Sequence, residues 1–302
     1  MRRPAWSWAA PDAPIIVNRT LTRHAFVQWE FPGRLGPDPG RYVVRRYAGD
    51  DVRQVLVIGG IEAPRRRRRG ARPRPARAEA VPVEVTRATV IEATPLGDID
   101  AADAWLARAA GPDAPRVTSG ALAVLNRAVA GHRVASADPW LPDADPSRAL
   151  VCRVGYGTGE QVAEGEWESA RELPRPAARA ARSLALAPQE RLAALLSGRD
   201  VALACEELTL RARADLEHGR AREAALQASI ALDAALVELA SWRDTRDMAA
   251  RLDELAAHRE AVAAAARAAL EGGLRPEATT AVEAAVGRLE AALRARSAAA
   301  PS

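Results

Sequence analysis

The chain has 302 residues and a formal net charge of +4, and all 43 of its basic residues are arginine. Without a lysine it has neither the amine of a Walker-type phosphate loop nor the amine that forms a Schiff base, so both chemistries are excluded. At this length we expect about two domains.

The first half predicts an α+β domain over residues 24–172, preceded by a flexible arm at 1–23. Branched and aromatic residues indicate strands at 24–31, 41–47, 52–58, 83–93 and 150–156. We expect the first three strands to form an antiparallel meander, and residues 161–167 to pair back on the last strand. Apolar periodicity indicates two helices, at 99–110 and 117–134. Together these elements predict a mostly antiparallel sheet with two helices on one face.

An arginine- and proline-rich segment interrupts this domain at 61–80, where we expect a disordered loop. Residues 64–78 hold eight arginines and no acid, so the rest of the chain is net negative. These candidate nucleic-acid contacts, the Arg tract, are Arg65, Arg66, Arg67, Arg68, Arg69, Arg72, Arg74 and Arg77. Such a tract binds phosphates without reading sequence. The alternative is a soluble loop in an arginine-rich chain, since the tract has no aromatic residue to stack on bases.

The second half predicts a linker at 173–187 and an all-α bundle of about five helices at 188–298. Glycines 272 and 273 end one predicted helix, and Pro276 begins the next. Proline near the start of a helix and glycine past its end is the asymmetry that helices show.

A helical hairpin is predicted at the centre of this bundle. Asp200 is the expected N-cap of its first helix, with Val201 on the apolar face of that helix. Gly219 is expected to end the first helix in a left-handed conformation. The second helix has two apolar faces, one with Ile230 and one with Leu232, which predicts a central helix with Ile230 buried.

Around this hinge, Gly219, Glu223, Ala224, Ala231 and Leu232 resemble the glycine, alanine and Ala-Leu positions of a tetratricopeptide repeat. In that family, small residues let the two helices of a repeat approach closely. The alternative is an ordinary antiparallel helix pair, since a solenoid needs about three repeats and no second copy is present in the sequence.

No constellation of residues predicts a catalytic, cofactor or metal site. The four histidines lack partners at metal-ligand spacing. Cys152 and Cys205 fall in different predicted domains, which indicates free thiols in a reducing compartment. No run approaches the roughly 20 apolar residues of a membrane span. We therefore expect no cofactor and a cytoplasmic protein.

Three functions remain open from the sequence. The first is a non-catalytic interaction protein that binds a protein partner through its helical domain, with Arg213 and Arg222 as the candidate partner surface. The second is a nucleic-acid-associated protein that contacts phosphates through the Arg tract. The third is an enzyme with a site in the α+β domain.

Overall fold

The computed structural model describes residues 22–45, 49–61, 84–174, 188–245 and 247–299. The chain divides into two compact units, Met1–Pro176 and Ala177–Ser302. The first unit is α+β and the second is helical, which confirms the predicted fold class. The predicted arm, loop and linker fall almost entirely outside the described residues, and so do all eight arginines of the Arg tract.

The first unit contains one sheet of six strands. These are β1 (Arg23–Pro32), β2 (Gly40–Val44), β3 (Gln54–Ile61), β4 (Val85–Pro95), β5 (Val151–Thr158) and β6 (Ser169–Glu172). Neighbouring strands are antiparallel, in the order β2-β3-β4-β1-β5-β6. The predicted meander of the first three strands is wrong, because β1 pairs with β4 and β5 and not with β2.

A second correction concerns residues 161–167, which do not form the expected strand. A short 3-10 helix, Glu160–Glu164, occupies much of this segment and precedes β6. The carbonyl oxygens of Val162 and Ala163 accept hydrogen bonds from the buried Gln28 amide, both at 3.4 Å. The segment therefore covers the sheet and does not extend it.

Two helices, α1 (Ile99–Ala109) and α2 (Ala114–Ser136), pack on one face of the sheet, as predicted. Asp98 caps α1 by accepting a hydrogen bond from the Ala101 N–H at 2.9 Å. The core of this layer contains Trp29 of β1, Leu106 of α1 and Leu125 of α2. These side chains exclude water between the sheet and the helices, which is the main favourable term in their packing.

The opposite face of the sheet carries polar side chains, because successive residues of a strand alternate between faces. Gln28 is fully buried and donates from Nε2 to Thr89 Oγ1 at 2.9 Å. Arg153 donates to the Gln28 amide oxygen at 3.0 Å and to Glu30 at 2.9 Å. Arg87 donates to the same Glu30 oxygen at 3.3 Å. These polar groups bond to one another across three neighbouring strands, and Arg87 Nε is left without a partner in the part of the chain that the structure describes.

Over residues 188–299, apart from 246, the second unit contains five helices, as predicted. They are α3 (Pro188–Leu196), α4 (Ala204–Glu217), α5 (Ala221–Glu238), α6 (Met248–Glu271) and α7 (Pro276–Ala299). Helix α4 begins at Ala204, so Asp200 is not its N-cap as predicted. The Asp200 carboxylate accepts a hydrogen bond from the Val201 N–H and forms ion pairs with Arg191 and Arg296. Val201 therefore lies before the helix and is exposed. Gly219 connects α4 to α5 with φ of +71°, the conformation predicted for it.

Helix α5 is the central helix of this unit, since it packs against α4, α6 and α7. Its buried positions are mainly alanines: Ala224, Ala225, Ala228, Ala231 and Ala235, with Leu232 among them. The prediction that Ile230 is buried is wrong, because 60% of this residue is exposed. Small side chains let neighbouring backbones approach closely, so the helix buries its alanine face and leaves Ile230 outside.

Candidate protein-binding face

An exposed apolar feature of the helical unit lies along α5. It consists of Leu226, Ile230, Ala234 and Val237, the α5 stripe, whose spacing of four, four and three residues places them on one side of a helix. Ile230 is 60% exposed and Val237 is 76% exposed. Leu226 and Ala234 are partly buried and contact the edge of the core. The stripe is therefore continuous with the core along one side and open to solvent on the other.

The orientation of α5 follows from the angular separation of its side chains. At 3.6 residues per turn, Ile230 and Leu232 point about 160° apart. Leu232 is buried among the alanines of the core, so Ile230 must face outward. A sequence signal for this existed, since Ala224, Ala228 and Ala231 recur at helical spacing. The prediction missed it by treating the largest apolar residues as the buried ones.

Two contacts to α6 hold the exposed side of α5 in place. Arg222 donates from Nε to the backbone oxygen of Ala269 at 2.8 Å. Arg259 Nε donates to Asp233 Oδ1 at 2.8 Å, and both of these side chains are largely exposed. Arg222 precedes the α5 stripe in sequence, and Asp233 lies within it, between Ile230 and Ala234, so α5 contacts α6 before the stripe and near its middle.

The predicted partner surface, Arg213 with Arg222, stays a prediction, and the structure shows the contacts of each arginine within the unit. Arg213 donates from Nε and Nη2 to the two carboxylate oxygens of Glu290 on α7, at 2.7 and 3.1 Å. Bonding to Glu290 raises the pKa of the Arg213 guanidinium further. Arg222 is exposed but donates to Ala269 on α6. Each arginine therefore contacts a different neighbouring helix, and Arg213 is committed to an ion pair within the unit.

A buried ionic network connects α7 to α3 and to the segment that precedes α4. Arg296 of α7, of which only 4% is exposed, donates to Asp200 at 2.7 Å and to Glu206 at 3.3 Å. Its guanidinium also lies 4.9 Å from the centre of the Trp242 ring. Arg191 of α3 bonds to the same two carboxylates. Partial burial works against ionisation of Asp200, but the Val201 N–H and the two guanidiniums outweigh it and lower its pKa.

A further carboxylate of this unit caps a helix. Glu238 accepts hydrogen bonds from the backbone N–H groups of Ala204 and Cys205. Burial opposes its ionisation, but these N–H groups bond to the charged form, and its pKa is lowered as a result. Burial and the neighbouring Glu238 raise the pKa of the Cys205 thiol to about 12. These groups support the structure of the helical unit and leave no activated nucleophile among them.

No protein-family model matches the chain, and no curated protein or solved structure matches it either. Within the described ranges, no helix combines the length and the apolar character needed to cross a membrane. In the same part of the chain, no three His, Cys, Asp or Glu side chains come together as metal ligands. The resemblance of α4 and α5 to a tetratricopeptide hairpin stays a prediction, with Ala224 and Ala231 both buried in the core.

Proposed function

We propose that the chain is a non-catalytic interaction protein whose helical unit binds an amphipathic helix of another protein on the α5 stripe. The observation that carries this proposal is the exposure of Ile230 and Val237 on the central helix of the unit. Exposed apolar residues are common singly, but a contiguous stripe on one helix face is a feature of interaction surfaces. Ile230 and Val237 are branched apolar side chains that face water, and a partner that covers them would remove this apolar surface from water.

The geometry of the stripe favours a helix as its occupant. From Leu226 to Val237 it runs for about 16 Å, at a rise of about 1.5 Å per residue. Helix α5 has its backbone groups bonded internally and offers no strand edge to pair with, so recognition has to come from side chains. A partner helix with apolar residues at i, i+3, i+4 and i+7 presents a matching ridge. The exposed pair of Asp233 and Arg259 beside the stripe provides both charge signs for the flanks of such a helix.

The test is selection of binders from a displayed library of segments of the host proteome, each about 20 residues long. Wild-type full-length chain is the bait, and Ile230→Asp and Val237→Asp are the counter-selection baits. Leu210→Asp is the matched control, because Leu210 is a comparably exposed apolar residue on α4. All three positions are exposed, and we expect the variants to fold as the wild type does.

The proposal predicts that the enriched segments share the apolar spacing of an amphipathic helix. Each should bind the wild type and the Leu210→Asp control, and lose binding to both stripe variants. Extended or proline-rich binders, or binders indifferent to Ile230→Asp, would contradict it. Concentration-dependent dimers of the wild type that Val237→Asp abolishes would identify a second copy of this chain as the occupant instead.

A second function, contact with nucleic acid, is favoured by the eight arginines of the Arg tract. The tract lies between β3 and β4, whose ends pair at Ile61 and Val85. If all eight arginines met single-stranded phosphates, the logarithmic salt slope would approach about −5 to −6. Replacing the eight arginines with serine should abolish binding and leave the melting temperature unchanged. Absence of binding by the wild type at low salt would remove this function.

We further propose that the protein acts in the cytoplasm. The free thiols Cys152 and Cys205 support this, since disulfides form and persist in oxidising compartments. An enzymatic site in the α+β unit remains the third possibility, and no arrangement of reactive groups among the described residues favours it.

A further inference from the structure

A cavity of about 300 Å³ lies in the α+β unit, between the sheet and its two covering helices. Val27 of β1 and Val90 of β4 line it from the sheet, and Trp105 of α1 and Val117 of α2 line it from the helices. Small-molecule sites occupy roughly 300 to 1,000 Å³ and combine an apolar lining with a few polar groups. This cavity falls at the lower end of that range, and its lining combines apolar side chains with the charged residues Glu92 and Arg116.

The polar group on the strand side is the carboxyl of Glu92, at the end of β4. Its two oxygens accept from the Gln54 amide at 3.3 and 3.2 Å, and no cation lies within ion-pairing distance of it among the described residues. Burial raises the pKa of this carboxyl, and the bond from Gln54 offsets part of the effect. Glu92 is thus a half-buried carboxyl whose hydrogen-bond partner is neutral, and a carboxylate taken partly out of water gains most from a charged partner.

The second charged group at the cavity, Arg116, has a different status. It donates to Asp113 at 3.1 Å, and its side chain is 75% exposed. Its charge is therefore balanced by Asp113 and screened by water. The unbalanced charge at the cavity is negative.

We propose that this cavity binds a small organic ammonium ion with an apolar body, with Glu92 contacting the ammonium group. The apolar body fills the space between Val27, Val90 and Val117. Trp105 lines the same space, and the face of a tryptophan ring attracts a cation within about 6 Å. This site is independent of the α5 stripe, and neither proposal requires the other.

The experiment is isothermal titration calorimetry of the full-length chain with three probes of similar size. They are 2-phenylethylamine, which is a cation at neutral pH, 2-phenylethanol, which is neutral, and 3-phenylpropionate, which is an anion. The variants are Glu92→Gln, which keeps the side-chain volume, and Arg116→Gln, which is the matched control. Thermal melts establish that each variant folds.

We expect the wild type to bind the amine about ten- to a hundredfold more tightly than the alcohol, because a hydrogen bond to a charged group is the stronger kind. Glu92→Gln should reduce amine binding to the level of the alcohol, and Arg116→Gln should leave the preference unchanged. Should Glu92→Gln fail to fold, Val117→Phe takes its place. Because the larger side chain fills the cavity, this variant should bind both the amine and the alcohol more weakly.

The proposal would be overturned by equal affinities for amine and alcohol, by tightest binding of the carboxylate probe, or by an amine preference that survives Glu92→Gln. Absence of binding by all three probes would overturn it equally.

Discussion

The carboxylate of Glu238, at the end of α5, caps helix α4 by accepting a hydrogen bond from the backbone N–H of Cys205 at 2.9 Å. It accepts a second from the N–H of Ala204 at 3.0 Å. The first N–H groups of a helix have no intrahelical partner, and the N-terminal end of the helix dipole favours a negative charge. The predicted cap, Asp200, is held by Arg296 and Arg191 instead, so a residue distant in sequence takes over its role.

Glu238→Ala is expected to destabilise the helical unit by about 1 to 2 kcal/mol, the usual cost of losing a capping group. Urea unfolding followed by circular dichroism measures this change. Glu260→Ala is the matched control, because Glu260 is exposed on α6, and it should shift stability by less than about 0.5 kcal/mol. Equal effects of the two changes would show that the contact to Cys205 contributes little.

Acid should weaken the helical unit through Asp200 and Glu238. Their ordinary pKa values are 3.8 and 4.5, and both are lowered in the folded chain. The unfolded chain therefore binds more protons as the pH falls. The stability that the two carboxylates contribute is complete above about pH 5 and is lost as the pH falls through their folded pKa values. Urea midpoints measured from about pH 6 to pH 3 should fall with acid, and they should fall less steeply in Glu238→Gln. Midpoints that rise toward pH 3 would contradict this sign.

Both thiols should be unreactive while the chain is folded. Burial, as the largest effect, raises the pKa of Cys152 to about 11, and that of Cys205 is about 12. Near pH 8 a thiol with a pKa near 11 is only about 0.1% thiolate, and the thiolate is the reactive form. Ellman's reagent should label neither cysteine in buffer and both in denaturant. Rapid labelling of the native chain would contradict the raised pKa values of these thiols.

The orientation of α5 can be tested by comparing two truncations on the same helix. Leu232→Ala removes a fully buried side chain and should destabilise by about 2 to 5 kcal/mol. Ile230→Ala removes an exposed one and should change stability by less than about 0.5 kcal/mol. Thermal and urea unfolding measure both variants. A larger loss for Ile230→Ala than for Leu232→Ala would reverse the assigned faces.

Local patterns in the sequence identified the strands and helices well, because alternation, helical spacing and terminal Gly and Pro act within a few residues. Pairing partners were harder to predict. Strand β1 lies between β4 and β5, whose residues are far from it in sequence. No local pattern in residues 24–31 indicates which strands pair with it. One signal was available, since Phe26 and Trp29 place large aromatics on both faces of the strand, as a central strand requires.

The burial of Ile230 was mispredicted for a related reason. The sequence indicated that α5 has two apolar faces, and size alone suggested that Ile230 is buried. Packing density decides which face of α5 is buried. A helix that contacts three others buries the face that lets the neighbouring helices approach it most closely, and here that face carries the alanines. The bidentate bond of Arg213 to Glu290 could not be predicted from local sequence, because it depends on α7, which follows many residues later.

The most direct test of the α5 stripe is methyl NMR of the full-length chain, labelled at the isoleucine δ1 carbons, during titration with a selected amphipathic helix. The Ile230 signal is assigned by its loss in Ile230→Val. The account predicts a saturable shift at Ile230, with Ile91 in the sheet unchanged. Saturable binding of the helix that leaves the Ile230 signal unmoved would contradict it.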